Sequence, residues 1–153
     1  MSQNTTSQNS VTRDGTSAQV YVEPIVGRYM HLTLNGQPHR VYVEEAGVGV
    51  PLLCLHTAGA DTRQYRALMN ESELLKQFRV IAFDLPWHGK SSPPEGWQND
   101  TYRLSSHDYT QAILAVADAL QLDQPILMGC SIGGRWSPGS WCSRTRGGFS
   151  PMR

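Results

Sequence analysis

The stretch Ile126-Leu127-Met128-Gly129-Cys130-Ser131-Ile132-Gly133-Gly134 decides how the rest of the chain is read. Its first three residues are a short apolar run, as expected of a strand buried on both faces, and the residues behind it fit Gly-x-Ser-x-Gly. That spacing has a physical basis. The chain must turn sharply from strand into helix with the central side chain exposed, and only residues without bulk fit two places before and after it. Ser131 is therefore the candidate nucleophile, and the N–H of Ile132 would point to where a carbonyl oxygen turns negative during acyl transfer. The competing reading is an ordinary small residue in a Gly-rich turn. Centring the pattern on Cys130 instead would put Met128 and Ile132 at the small positions. A phosphate loop is disfavoured because no Lys follows the glycines.

Upstream, two more apolar runs, Pro51 to Leu55 and Val80 to Leu85, are separated by about one helix length. Continuous apolar strands belong in a parallel sheet covered by helices. Tyr65, Leu68, Met69 and Leu75 share one helical face between these runs, and Tyr109, Ile113, Val116, Ala117 and Leu120 share another before the third, with Ser105 or Ser106 as its cap. Still earlier, Tyr29 to Leu34 and His39 to Glu45 are β-rich and flank Asn35-Gly36-Gln37-Pro38, where Asn-Gly supplies the positive φ angles of a tight hairpin. The order hairpin, strand, helix, strand, loop, helix, strand predicts an α/β fold: a partial sheet of parallel strands with crossover helices behind an amino-terminal hairpin. Active sites in such sheets lie beyond the carboxyl ends of the strands.

Three motifs now stand in order behind three predicted strands, and over roughly Tyr29 to Gly134 the chain resembles the amino-terminal half of the α/β-hydrolase superfamily. Leu53-Cys54-Leu55-His56-Thr57-Ala58-Gly59 resembles the family's oxyanion loop, Asp84-Leu85-Pro86-Trp87-His88-Gly89-Lys90-Ser91 its DxxxHGxS turn, and Gly129 to Gly134 its nucleophile elbow. The resemblance implies that the Ala58 N–H is the second oxyanion donor beside that of Ile132. It makes His56 an organiser of its loop rather than a base, and has His88 and Asp84 fixing the turn after their strand. His56 is followed by Thr57 where many relatives have Gly, so a local departure in loop geometry is expected. Trp87 and Trp97 either line a pocket or pack on the surface.

A serine hydroxyl is a feeble nucleophile until a base takes its proton, and the resemblance implies that an acid and a His follow the Ser in the chain. None of the 22 residues after Ser131 is His, Asp or Glu, and His31, His39, His56, His88 and His107 all precede it. His107, near a helix start, is the one His worth testing as a substitute. Residues 135–153 also lack Ala, Val, Ile and Leu, and carry Pro138, Gly139, Gly147, Gly148 and Pro151, all helix breakers. This tail reads as foreign to the family, as though the reading frame were interrupted just after Gly134 or Arg135. The expectation is a sheet lacking its carboxyl-terminal half, with an unpaired apolar edge, and hence a marginal, association-prone domain.

With 13 basic and 13 acidic side chains in 153 residues, the net charge is zero, which argues against nucleic acid as a partner. Arg135, Arg144, Arg146 and Arg153 nevertheless make residues 135–153 a basic tail, and residues 1–18 are too polar to repay ordering and are read as a disordered leader. Residues 19–134 form the domain itself. Cys54, Cys130 and Cys142 neither pair evenly nor space as a zinc site, so reduced thiols are expected. No secretory signal or run of about 20 apolar residues is present, and the chain reads as cytoplasmic without a membrane partner. The resemblance implies a serine hydrolase of small-molecule esters or related acyl and carbon–carbon bonds, with no metal or organic cofactor, inactive as the chain stands. The alternatives are a non-catalytic remnant, or a binding or interaction protein, one version of which uses the basic tail against an acidic partner.

Overall fold

The computed structural model describes residues 20–99, 101, 103 and 105–131, together with the backbone of 11–13, 16–18, 142–145 and 148–151. In chain order, strands β1 (Val11–Arg13) and β2 (Thr16–Ala18) are followed by β3 (Val26–Leu34), β4 (Gln37–Gly47) and β5 (Val50–Leu55). A broken helical segment leads to β6 (Phe78–Phe83), then helix α2 (Ser106–Ala119), β7 (Ile126–Gly129), β8 (Cys142–Thr145) and β9 (Gly148–Pro151).

Five strands form one sheet in the order β3-β4-β6-β5-β7. The hairpin β3-β4 turns on two residues, with Leu34 opposite Gln37 and Asn35 and Gly36 at φ 51° and 78°. Both central residues of such a turn need positive φ to follow the strand twist, which is why Asn-Gly stands there. Strand β6 pairs antiparallel with β4 and parallel with β5, and β5 pairs parallel with β7, Leu55 opposite Gly129. The sheet is thus mixed, parallel only where the crossover segments require it.

Alternation along the inner strands divides the core in two. Leu53 and Leu55, Ile81 and Phe83, with Val41 and Val43, face α2, which buries Tyr109, Ala112, Ile113 and Val116 against them. Leu52, Cys54, Val80 and Ala82 face the other way, onto Tyr65 and Met69. Fully burying each large side chain stabilises by about 1.5–3 kcal/mol, so this double-sided cover explains why β5 and, apart from Arg79 near its start, β6 are apolar. Helix α2 begins as expected at Ser105, whose side chain accepts from the Asp108 N–H while Asp108 reaches back to the Ser105 N–H, a full capping box.

The first predicted helix departs from expectation. The apolar stripe from Tyr65 to Leu75 is carried by two 3-10 turns, Thr62–Tyr65 and Leu68–Asn70, and one turn of α-helix, α1 (Ser72–Leu75). Bonds from the Arg66, Asn70 and Glu71 N–H groups to the residue three earlier replace the helical spacing. Asn70 also spends its side chain on the Arg66 carbonyl at 3.0 Å, a local competitor with helix. Met69 and Tyr65 are still buried, so the stripe reported burial correctly and backbone geometry incorrectly.

Within the leader, β1 and β2 pair antiparallel, and within the tail β8 and β9 do the same. In sequence, each pair is separated by two residues ending in Gly, Asp14-Gly15 and Arg146-Gly147. At the far edge of the main sheet, Ile126 and Met128 of β7 are 48% and 43% exposed. Among the described residues β7 has no outer neighbour. No helix among them is long and apolar enough to cross a membrane.

Candidate active site

The parallel register brings the carboxyl ends of β6, β5 and β7 to one rim, and the three motifs follow those ends. Behind β5, Thr57 to Ala60 close a turn by a 3.1 Å bond from the Ala60 N–H to the Thr57 carbonyl, with Gly59 at φ 77°. Ala58 sits exposed at the crest of this turn. The Thr57 that replaces Gly needs no positive φ, because Gly59 takes it. The Thr57 N–H is held at 3.1 Å by the Gln64 side-chain oxygen, and the Tyr65 hydroxyl donates to the Leu55 carbonyl at 2.7 Å. Gln64 and Tyr65 thereby brace the turn from the following segment. The sequence marked Tyr65 only as apolar and carried no signal for Gln64, an isolated polar residue in a loop.

His56 is 1% exposed and both ring nitrogens are engaged. Nδ1 lies 2.8 Å from the Thr57 carbonyl, and the Leu85 N–H donates to Nε2 at 3.0 Å. This fixes the neutral tautomer with the proton on Nδ1, and burial holds the imidazole below its ordinary pKa of 6.5. A ring that accepts from a backbone amide on one side and donates to a carbonyl on the other has no lone pair to offer a serine. His56 ties the turn after β5 to the turn after β6, as an organiser.

Asp84 does the same with a carboxylate. It is buried, its Oδ1 accepts from the Thr62 N–H at 2.6 Å and its Oδ2 from the Lys90 N–H at 2.7 Å. The Ser91 hydroxyl donates to the Asp84 carbonyl at 2.6 Å and accepts from the Tyr42 N–H at 2.9 Å. Between them, Gly89 has φ 51°, and a Cβ there would lie 2.6 Å from Asp84 Cγ and 2.7 Å from Asp61 Cβ. Every fixed residue of DxxxHGxS thus takes part in closing this loop: Asp84 and Ser91 as fasteners, Gly89 by space, and His88 through its N–H to the Leu85 carbonyl at 2.9 Å and its ring packed, tilted by 49°, at 5.0 Å from that of His56.

A second fastener lies beside the first. Glu44 of β4 is buried, and it accepts from Arg66 at 2.7 Å and from the Tyr42 hydroxyl at 2.9 Å, with the Lys90 ammonium at 3.4 Å. Burial works to raise its pKa, but Arg66, Tyr42 and Lys90 together hold the carboxyl below its ordinary value. Arg66 and Lys90 belong to the two segments that Asp84 also joins.

Ser131 stands two residues beyond β7, exposed, at φ 56°. A non-glycine residue in the left-handed region costs about 1–3 kcal/mol and persists only where its surroundings enforce it. Ile132, Gly133 and Gly134 lie outside the described residues, so the second proposed oxyanion donor is not described. Among the described residues none hydrogen-bonds Ser131. His107 is exposed on the first turn of α2. Cys130 is exposed and unpaired, while Cys54 is buried between strands, which pushes its thiol up to about 12. Trp87 and Trp97 pack edge to face at 5.6 Å, with Trp87 at φ 71°.

This rim of three motif-bearing loops has a counterpart in known proteins, for the sequence profile of the alpha/beta hydrolase fold matches residues 50–137. The chain belongs to the alpha/beta hydrolase fold family. A relative is the AB hydrolase superfamily protein YisY of Bacillus subtilis (strain 168), 34% identical over 94 residues, covering 61% of this chain and 32% of that protein. Among solved structures, the Cif epoxide hydrolase from Acinetobacter nosocomialis matches 80% of this chain and 35% of its own, with TM-score 0.59 and 22% identity. A thermophilic esterase from Thermogutta terrifontis matches 70% and 38%, with TM-score 0.59 and 23% identity. The chain spans about a third of the length of each. At these identities the solved structures establish the fold, including the partial sheet read from the sequence.

Proposed function

We propose that the chain carries the nucleophile-bearing part of a serine hydrolase acting on small-molecule esters or related acyl and carbon–carbon bonds. The observation that carries this reading is Ser131 held exposed at φ 56° immediately behind β7, beside the strand end that bears the Ala58 turn. In the reaction, Ser131 Oγ attacks the substrate carbonyl, the Ala58 and Ile132 N–H groups receive the oxyanion, the leaving group departs with a proton, and water releases the acyl group. The hydroxyl proton needs a base. His56 is committed on both nitrogens, and no His, Asp or Glu follows Ser131 in these 153 residues. Within these 153 residues only solvent can take that proton, so slow acylation at most, without sustained turnover, is the behaviour expected.

Incubation with a fluorophosphonate probe tests the proposal, since such probes capture an activated serine without needing deacylation. Labelling that disappears in Ser131→Ala supports it. Folded protein that is not labelled, or labelling that survives the substitution, overturns it in favour of a remnant or binding protein. Repeated, Ser131-dependent turnover of nitrophenyl acetate would instead refute the expected inactivity and require a base from elsewhere in the chain.

A further inference from the structure

A cleft of about 270 Å³ opens on the α2 side of the sheet, between the tip of the β3-β4 hairpin, the first turns of α2 and the segment after β6. Neither Ser131 nor Ala58 lines it. Its floor is apolar, made by Leu34, Leu85 and Ala112, each more than nine-tenths buried. One wall is Trp87, whose φ of 71° is a rare conformation for a bulky residue and whose ring is braced edge-on by Trp97. A strained position held by packing is a device for presenting a side chain, here an indole that lines the same cleft as the apolar floor.

The charged residues of the rim differ in how far they are committed. Asp108 is satisfied: the Ser105 hydroxyl donates to it at 2.6 Å and the Asn35 amide at 2.5 Å, at the amino end of a helix that favours negative charge. Arg103 lines the same cleft and joins no ion pair among the described residues. His39 lines it as well, and its Nδ1 is buried without a hydrogen-bond partner among the described residues, a deficit that a ligand oxygen admitted beside it would relieve. Burial favours the uncharged form of that ring, so Arg103 is the cation that the cleft offers.

We propose that this cleft is a binding site, separate from the Ser131 rim, for a small organic acid with a flat apolar body: the carboxylate pairs with Arg103 and the body lies against Trp87 over Leu34, Leu85 and Ala112. A guanidinium and an indole lining one cleft suit a planar anion, because the fork can pair with both carboxylate oxygens while the ring takes the apolar remainder. A cleft of this volume accommodates a ligand about the size of a substituted benzoate.

The test uses the full chain and two nearly isosteric probes, benzoate and benzamide, titrated by NMR while the indole N–H resonances are followed. Benzoate is expected to bind at least fivefold more tightly than benzamide, with the preference shrinking as salt is added. Arg103→Gln, a change at an exposed residue, is expected to bring benzoate down to the benzamide level. Trp87→Leu is expected to weaken both probes at least threefold, and Ser131→Ala to leave both unchanged. Equal affinities for the two probes, an unchanged preference in Arg103→Gln, no saturable shift with either probe, or loss of binding in Ser131→Ala would each overturn the assignment.

Discussion

Replacing Gly89 with Ala tests whether the Asp84 fastening holds the rim together. Two costs add at this position. The first is conformational: a Cβ at φ 51° costs about 1–2 kcal/mol. The second is collision, because the new methyl would lie 2.6 Å from Asp84 Cγ and must drive the carboxylate off the Thr62 and Lys90 amides. Hydrogen bonds to a charged group are worth about 1.5–3 kcal/mol each, so losing two costs roughly 3–6 kcal/mol more. Gly36 is the control, since its φ is 78° and nothing lies within 4 Å of a Cβ built there. Gly36→Ala should show the conformational cost alone. In urea unfolding followed by circular dichroism and Trp fluorescence, with TMAO present to keep both variants folded, Gly89→Ala is expected to lose about 3 kcal/mol or more beyond Gly36→Ala. Asp84→Asn combined with Gly89→Ala should be clearly less costly than the sum of the singles, because both act through one contact. Single variants within about 1 kcal/mol of each other, or strict additivity of the double, would refute the reasoning.

Further outcomes follow from the same geometry. His56 is buried neutral with its pKa held below 6.5, so the unfolded chain binds more protons between that depressed value and 6.5; its stabilising contribution is full above pH 6.5 and falls as pH drops below it, with His39 acting in the same sense. His56→Asn should flatten, though not abolish, the decline in urea midpoint between pH 7.5 and pH 5; an unchanged slope counts against the assignment. Arg66→Met leaves buried Glu44 with only Tyr42 and Lys90, and a loss of about 1–3 kcal/mol is expected, with acid unfolding moved to higher pH as the Glu44 carboxyl is released from its depressed state. Equal acid limbs for wild type and variant would contradict it. The exposed edge of β7 is proposed to drive self-association, so sedimentation should show concentration-dependent oligomers that Ile126→Lys shifts to monomer; a wild-type monomer at every concentration would remove this idea.

Local chemistry made much of this protein legible in one dimension. Asn35-Gly36 announces its turn because few residues accept two consecutive positive φ angles, the apolar runs announce β5 and β6 because strands covered on both faces cannot alternate, and Ser105 with Asp108 announces a helix start by satisfying its free amides. Gly-x-Ser-x-Gly marked the bend that puts Ser131 in the left-handed region. The broken segment after β5 was misread because an apolar stripe encodes which side chains are buried, while i to i−3 bonds and the Asn70 side chain decided the backbone.

What only the tertiary structure decided is how groups far apart in sequence hold one another. The Leu85 amide on His56, Thr62 and Lys90 on Asp84, and Arg66 and Lys90 on Glu44 join segments that are up to 46 residues apart, and no spacing rule predicts such partners. The same holds for the cleft, whose walls come from the hairpin tip, the turn after β6 and the start of α2. Sequence periodicity follows from the geometry of one strand or one helix; pairings between loops follow from where the sheet's strand order places their ends, and that order emerges only when the whole chain has folded.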